Sequence, residues 1–427
     1  MAQHLLSPTA RESRPSRRWN RRTRVAVLLT SIALVGAACS SASAAPSSNG
    51  SAGAAEAAGT KTDLCTTMRP KLAALVKDLK APGAVVLVRS PTIGRCFLSF
   101  GSRTLGGHKP IGPNDQLRIG SNTKTMTGTV ILQLAQEGKL SLDDPVSKYH
   151  VGVPNGDNIT IAQLLSMRSG FRDFTGLPVF AQTLDAHPQR VWSPDEVLAL
   201  SYTQPPAFAP GNGYLYANAN TVLLGLIAQQ LTGEPLAQVF EDRIYRPLGL
   251  THTLLPAAGS HTIPKAHAHG YMYGSIASFI DGPLTSEQQA AAQAGTLAPI
   301  DRTNMNPSWA WAAGGVISTT NDLARYVKAL GGHGLLNKQM QAERIASPQP
   351  IDPTKPDGTA YGLGIVKYGH LYGHTGELPG YDSFIGYDPQ RDITVVTWAN
   401  LINSPDGRST GGTLAVAVMN ELYRRRP

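Results

Sequence analysis

The stretch Arg118-Ile119-Gly120-Ser121-Asn122-Thr123-Lys124 decides the interpretation of this chain. Ser121 is the only serine in the sequence that is followed by a lysine three residues later. Apolar residues then recur at Met126, Val130 and Leu134, a spacing that predicts a helix with one buried stripe, ending near Gly138. On such a helix Ser121 and Lys124 lie on the same face, one turn apart.

This pairing favours nucleophilic catalysis. A serine hydroxyl is a weak nucleophile until a neighbouring base takes its proton, and a lysine amine becomes such a base when burial lowers its pKa. The backbone N–H groups at the start of the helix are suited to the negative charge that develops during acyl transfer. For an isolated match, a helix-capping serine with a surface lysine is the more common meaning.

A second motif, Tyr216-Ala217-Asn218, is the only Tyr-x-Asn in the chain and precedes another apolar helix. Beside Ser121, the Tyr216 hydroxyl is suited to carry protons to a leaving group. Asn218 is expected either to hold a substrate amide or to cap its own helix.

A third motif, His374-Thr375-Gly376-Glu377, lies on a predicted strand. A glycine in a strand permits a close approach of another backbone, and we expect Gly376 to receive the substrate there. The N–H group of Glu377 would then form an oxyanion hole with the N–H group of Ser121.

In this order the three motifs resemble the serine β-lactamase and penicillin-binding-protein superfamily. The resemblance is strongest to the branch that joins class C β-lactamases to D-alanyl-D-alanine carboxypeptidases, and it extends from about Lys80 to the C-terminus. Two further segments carry it, Leu164-Leu165-Ser166-Met167-Arg168-Ser169-Gly170 and Ala313-Gly314-Gly315-Val316-Ile317-Ser318-Thr319.

The resemblance implies that Ser121 forms an acyl-enzyme, that Lys124 and Tyr216 move protons, and that no metal or cofactor takes part. It also implies a set of substrate-binding residues: Asn218, His374, Thr375, Gly376, Glu377, Trp309 and Phe180. For the two aromatic residues, packing in the core is an equal alternative.

The chain departs from the family at the residues that would bind the carboxylate of the substrate. Carboxypeptidase relatives carry a small hydroxyl residue where Glu377 stands, and some present an arginine from the strand after a Tyr-Gly-Leu-Gly sequence. Here that strand offers Val366 and then Lys367. Because adjacent strand residues face opposite ways, Lys367 is an open alternative for this role.

The distribution of strands predicts the fold class, α/β in the α+β sense. Strand-like segments lie near both ends of the chain and helices fill the middle, so we expect an antiparallel sheet built from both ends, flanked by helices, with a mostly helical second lobe. This is a β-lactamase/transpeptidase-like architecture, and it would occupy residues 62–427. Residues 257–302 are irregular and predict a long loop or a small insertion.

The N-terminus reads as an export signal over residues 1–38, followed by a Ser/Ala/Gly-rich tether over residues 39–61. The signal contains seven arginines and one acid, and the rest of the chain holds 31 basic and 28 acidic residues, a net charge of +3. The basic excess therefore gives no reason to expect a nucleic-acid partner. The protein is expected on the outer face of the cell membrane, held only by a lipid anchor, or secreted.

The three cysteines support this interpretation. Cys39 follows Gly36-Ala37-Ala38, which resembles a lipidation signal, and we favour lipidation of Cys39 over plain secretion. Cys65 and Cys96 either form a disulfide in an oxidising compartment or remain two small buried thiols.

The leading functional expectation is a D-alanyl-D-alanine carboxypeptidase-like enzyme of cell-wall peptidoglycan, acting on a small peptide, ester or β-lactam substrate. An esterase of the same fold, a class C-like β-lactamase and a non-catalytic penicillin-binding-like protein are the alternatives.

Two other motifs are set aside. Gly407-Arg408-Ser409-Thr410-Gly411 has no Asp or His after it, which an α/β-hydrolase needs. His267 and His269 have no further metal ligands nearby in sequence.

Overall fold

An eight-stranded antiparallel sheet forms the centre of the computed structural model, which describes residues 64–423. Together with two small strand pairs, β3–β6 and β4–β5, it accounts for all the strands in these residues. The strands are β1 (Gly83–Ser90), β2 (Gly94–Gly101), β3 (Gln116–Arg118), β4 (Tyr271–Met272), β5 (Ile300–Asp301), β6 (Ile317–Thr319), β7 (Gln349–Pro350), β8 (Ala360–Tyr361), β9 (Val366–Tyr368), β10 (Leu371–Leu378), β11 (Tyr381–Asp388) and β12 (Ile393–Ala399). The order in the large sheet is β2-β1-β12-β11-β10-β9-β8-β7. The predicted meeting of the two chain ends is therefore confirmed, because β1 pairs with β12.

Helices cover both faces of the sheet and form the second lobe. They are α1 (Leu64–Asp78), α2 (Thr123–Gln136), α3 (Ile161–Leu165), α4 (Pro178–Ala186), α5 (Pro194–Tyr202), α6 (Asn218–Thr232), α7 (Leu236–Phe240), α8 (Arg246–Leu248), α9 (Ile276–Asp281), α10 (Ser286–Ala294), α11 (Trp311–Gly314), α12 (Thr320–Gly331), α13 (Lys338–Ala346) and α14 (Thr410–Tyr423). One core cluster joins the helical lobe to one sheet face, and a second cluster joins α1 and α14 to the other. The predicted α+β class is confirmed.

Strand β10 presents its side chains alternately to these two clusters, as the pleat requires. His374 pairs with Ile385 of β11 and faces the helical lobe, whereas Thr375 pairs with Phe384 and faces α14. The helical-lobe face of β10 is therefore the one that meets the turn before α2.

The segment from Ala360 to Tyr368 forms two short strands, β8 and β9, with a break at residues 362–365. Gly364 has a φ of +63° there, and a Cβ atom on it would lie 3.0 Å from the Cα of Gly128 in α2. The chain leaves the sheet at this point because its backbone packs directly on the helix that follows Ser121.

The irregular stretch 257–302 contains helices α9 and α10 and the small β4–β5 pair, so it is a small insertion with its own secondary structure. A disulfide joins Cys65 of α1 to Cys96 of β2 and ties the first helix to the sheet. No helix within the described residues is long and apolar enough to cross a membrane. The predicted signal segment, Cys39 and the tether lie outside the described residues.

Candidate active site

A tight turn carries Ser121 from β3 into α2. Gly120 has a φ of +53°, and residues Gly120–Asn122 form a 3-10 turn that continues directly into the helix. A Cβ atom on Gly120 would lie 2.5 Å from the backbone nitrogen of Glu377. Only glycine permits this contact, which brings β10 against the turn and leaves Ser121 partly exposed at the junction.

Lys124 is 1% exposed, and its side-chain nitrogen has three partners. It lies 3.0 Å from Ser121 Oγ, 2.6 Å from Asn218 Oδ1 and 2.8 Å from the carbonyl oxygen of Ala313. Burial lowers the pKa of Lys124 to about 7, although the charge of Asp173 acts in the opposite direction. Near neutral pH a large fraction of Lys124 is therefore a free amine, which donates to Asn218 and Ala313 and is positioned to take a proton from Ser121 during the reaction.

Asn218 is turned into the protein. Besides accepting from Lys124, its amide nitrogen donates to Asp173 Oδ2 at 2.9 Å, and its backbone N–H donates to Asp173 Oδ1 at 3.0 Å. We predicted a substrate contact for Asn218. Since both ends of the carboxamide are engaged, its role in this structure is to support Lys124.

Asp173 was not identified from the sequence. Its half-buried carboxylate accepts from Asn218 and from Thr175 Oγ1, at 2.5 Å, so its lone pairs are occupied as expected for the ionised form. Burial raises its pKa, and the hydrogen bonds and Lys124 oppose that shift. The only sequence signal was an acid within the mostly apolar stretch Gly170 to Phe174.

The Tyr216 ring lies beside the lysine, with Lys124 Nζ 4.8 Å from the ring centre. The ring also packs on Tyr361 and His374, at centroid distances of 6.2 and 6.1 Å. Burial raises the pKa of Tyr216 well above its usual value, as does the proximity of Tyr361, while a hydrogen bond to Ser121 lowers it. Tyr216 is therefore a neutral phenol in the resting protein, next to the nucleophile.

His374 has no exposed surface in this structure, and its contact with substrate stays a prediction. Its Nε2 lies 3.1 Å from the Tyr361 hydroxyl, and its Nδ1 lies against the carbonyl oxygen of Thr375. Burial lowers the pKa of His374 to about 3, with a contribution from the charge of Lys124, so the ring is neutral. The His374 ring packs against the Tyr216 ring and supports it.

Gly376 lies where the turn before Ser121 crosses β10. A Cβ atom on Gly376 would lie 1.9 Å from the carbonyl oxygen of Ile119 and 2.7 Å from Asn122 Nδ2. The missing side chain therefore admits the turn before Ser121, and the approach of the substrate to Gly376 stays a prediction. Together with Gly120, it lets the N–H groups of Ser121 and Glu377 approach one another.

The Glu377 side chain lies on the α14 face, opposite Asp382 of β11. Burial raises the pKa of Glu377 well above its usual value, and the adjacent Asp382 raises it further. Asp382 is buried and accepts from the backbone N–H of Gly411, at the start of α14. Thr375 shares this face and interacts with Tyr368, so its substrate role stays a prediction.

No cation accompanies this acid pair: in residues 64–423 neither Glu377 nor Asp382 forms an ion pair. Lys367 is exposed and pairs in register with Tyr372, on the opposite sheet face, with its Nζ 5.9 Å from that ring centre. Lys367 therefore shares the sheet face of His374, and its role toward a substrate carboxylate stays an open alternative, whereas Val366 is buried.

The two aromatic candidates differ in exposure. Phe180 is 1% exposed and packs on Phe174, Trp192 and Trp309, at centroid distances of 5.1, 5.1 and 5.5 Å. For Phe180 the core alternative therefore applies. Trp309 is 9% exposed and belongs to the same core cluster, so its substrate role stays a prediction.

No group of three potential metal ligands occurs in the part of the chain that the structure describes. His267 and His269 stack at 5.7 Å in a loop, and His269 pairs with Asp301.

Comparison with known proteins matches residues 68–418 to the family model described as Beta-lactamase. Protein flp of Staphylococcus aureus is 29% identical over 334 residues, covering 75% of this chain and 60% of that protein. The putative penicillin-binding protein PbpX of Bacillus subtilis is 24% identical over 78% of this chain and 74% of its own length. Among solved structures, a D-stereospecific amidohydrolase from Streptomyces sp. is 29% identical with a TM-score of 0.71, covering 84% of this chain and 99% of that one.

Proposed function

The chain belongs to the Beta-lactamase family of serine hydrolases, and on that premise we propose that it is an exported amidohydrolase for small D-configured amides. The observation that carries this proposal is the 3.0 Å contact between Lys124 Nζ and Ser121 Oγ, made by a lysine whose pKa burial lowers to about 7. That contact supplies a nucleophile and its base at neutral pH.

The reaction follows from these positions. The neutral amine of Lys124 takes the Ser121 proton as Oγ attacks the substrate carbonyl. The resulting oxyanion is stabilised by the N–H groups of Ser121 and Glu377. Tyr216 gives its proton to the departing nitrogen and is reprotonated from Lys124, so the C–N bond breaks and Ser121 is acylated. Water then releases the acid product by the reverse proton transfers.

The leaving-group end of the site favours a neutral amide over a peptide with a free carboxylate. A bound carboxylate in this family of sites would require a cation, and the strand that carries the proposed oxyanion-hole N–H offers the acid Glu377, next to Asp382, instead of one. The cost of an unpaired anion would weaken such a substrate. The preference for a D-configured acyl group rests on the likeness to the D-stereospecific amidohydrolase.

A D-alanyl-D-alanine carboxypeptidase of peptidoglycan is the second candidate. It is favoured by the predicted N-terminal signal, by the predicted lipidation of Cys39 and by the relative named as a penicillin-binding protein. The disulfide between Cys65 and Cys96 supports export for either candidate, because structural disulfides persist mainly outside the cytosol. An esterase or a β-lactamase would use the same Ser121 chemistry.

A comparison of hydrolysis rates for four substrates distinguishes these candidates. Hydrolysis of D-alanine amide, D-alanine methyl ester, a peptide ending in D-alanyl-D-alanine and a penicillin should be measured on one preparation, with Ser121→Ala as the control. We expect the amide to have the highest kcat/KM and the variant to be inactive on all four. A preference for the dipeptide end would support the carboxypeptidase, for the ester an esterase, and for the penicillin a β-lactamase. Equal rates for the variant and the wild type would refute the claim that Ser121 forms an acyl-enzyme.

A further inference from the structure

A small cavity lies beside the end of β10, next to the strand that leads to Ser121. Arg118, Arg302, Asn306, Trp309 and Leu378 contribute to its wall. The cavity leaves about 10 Å³ for the centre of a water molecule, so it has room for one water molecule or one monatomic ion.

The Arg118 guanidinium is 2% exposed and only partly satisfied. Its Nη2 donates to the carbonyl oxygens of His261 and Thr303, at 2.6 and 3.2 Å. Its Nε and Nη1 have no hydrogen-bond partner among the described residues. Burial lowers the pKa of Arg118, but an arginine remains protonated at neutral pH, so a full positive charge is buried here.

The carboxylates around the cavity do not balance this charge. In the described chain no ion pair includes Arg118, and Arg302 has one distant partner, Asp185, at 3.8 Å. The Asp185 carboxylate also accepts from the backbone N–H groups of Ile276 and Ala277. Two guanidinium groups and one carboxylate leave one unbalanced positive charge. Arg302 Nε is a further buried donor with no hydrogen-bond partner within residues 64–423.

The rest of the wall offers donors or apolar surface. The Asn306 side-chain oxygen accepts from the N–H of Ser308, and its nitrogen donates to the carbonyl oxygen of Ala258. Trp309 and Leu378 provide no acceptor. A water molecule would leave the excess positive charge unbalanced, whereas an anion accepts from these donors and balances the charge.

We propose that this cavity binds one monatomic anion, such as chloride, held by Nε and Nη1 of Arg118 together with Nε of Arg302. The bound anion fixes the Arg118 side chain three residues before the nucleophile, and it also contacts the segment that follows Glu377. Its role is to hold the Ser121 turn and β10 in register. This site is independent of which substrate Ser121 attacks.

Two measurements on the purified protein test the site. Crystals grown in sodium bromide should show an anomalous scattering peak in the cavity beside Arg118. The melting temperature should rise by about 2 to 4 °C when methanesulfonate is replaced by chloride at constant ionic strength, because an anion that binds only the folded state stabilises it.

The matched variants are Arg302→Gln, which removes a proposed donor, and Arg190→Gln, which removes an exposed arginine paired with Glu196. We expect the first to lose the chloride-dependent shift and the second to keep it. Arg302 is partly exposed, so its variant is expected to fold even where Arg118→Gln does not. Absence of a bromide peak, or equal stabilisation of wild type and Arg302→Gln by chloride, would overturn the proposal in favour of an ordinary buried water.

Discussion

Lys124 Nζ and Ser121 Oγ lie 3.0 Å apart, and neither of the lysine's other two partners is a carboxylate. Those partners, an amide oxygen and a carbonyl oxygen, accept hydrogen bonds without stabilising the ammonium charge as an acid would. Burial therefore dominates and brings the pKa of Lys124 to about 7. A lysine paired directly with Asp173 would remain an ammonium at neutral pH and would not accept the serine proton.

The pH profile of kcat/KM is the first prediction. Because only the neutral amine of Lys124 accepts the Ser121 proton, activity should fall about tenfold per pH unit below the Lys124 pKa and level off above it. We expect the midpoint of this acid limb near pH 7 for hydrolysis of D-alanine amide. A midpoint near pH 10, the value for an ordinary lysine, would contradict the role assigned to burial.

The Asp173→Asn variant tests how the amide and the acid cooperate. Asp173 positions Asn218 and raises the pKa of Lys124 through its charge. Loss of that charge should move the acid limb of kcat/KM to lower pH, and the less well held Asn218 should reduce kcat by about 10- to 100-fold.

The control for this variant is Asp195→Asn, which changes an exposed acid in the first turn of α5. We expect wild-type kinetics and an unshifted limb. If Asp173→Asn lowers kcat but leaves the limb in place, Asp173 has a structural effect only, and its influence on Lys124 is refuted.

The local parts of this site were predictable from the sequence. Ser121 and Lys124 are one helical turn apart, so their proximity requires only that α2 form. Likewise, a strand was predicted at His374, and pleat geometry then fixes which of its neighbours share a face. Interactions between neighbours in sequence depend little on the rest of the fold.

Contacts between distant segments were not predictable in the same way. Asp173 reaches Asn218 from 45 residues away, through a loop whose path depends on packing in the helical lobe. His374 is buried because Tyr361, on another strand, closes over it. The Gly376 side-chain position faces Ile119 only because the turn before α2 crosses β10. No periodicity or spacing in one segment specifies such a contact.

The Tyr216→Phe variant distinguishes proton transfer by the hydroxyl group from packing by the ring. The phenylalanine ring keeps the packing on Tyr361 and His374, so the melting temperature should change little. Loss of the proton carrier should lower kcat by about 10²- to 10⁴-fold. Tyr214→Phe is the matched control, since that ring also packs on Tyr361, at 5.8 Å, and it should retain activity. Comparable losses in both variants would argue against proton transfer by Tyr216.

The disulfide should contribute to stability. Cys65 and Cys96 are 31 residues apart, and closing a loop of that size lowers the entropy of the unfolded chain by an amount worth about 3 to 4 kcal/mol. Urea unfolding of the Cys65→Ser/Cys96→Ser double variant should show a loss of this size. Reduced wild type serves as the control and should match the double variant. An unchanged unfolding midpoint would show that α1 is held by packing alone.

Gly376→Ala tests the junction between β10 and the Ser121 turn. The added methyl group would lie 1.9 Å from the Ile119 carbonyl oxygen, a backbone atom that cannot rotate away. The strand and the turn must therefore separate, which should reduce the free energy of unfolding by about 3 kcal/mol. Separation also moves the Glu377 N–H away from the Ser121 N–H, so kcat should fall about 10²-fold or more even in the folded fraction.

Gly176→Ala is the control for this variant, because no atom lies within 4 Å of the Cβ position there. Urea unfolding and kcat should be measured for both variants, with activity corrected for the folded fraction. We expect wild-type values for Gly176→Ala. If Gly376→Ala is also fully active and stable, the close contact between β10 and the turn is not required to form the oxyanion hole, and the two N–H groups must be held by other contacts.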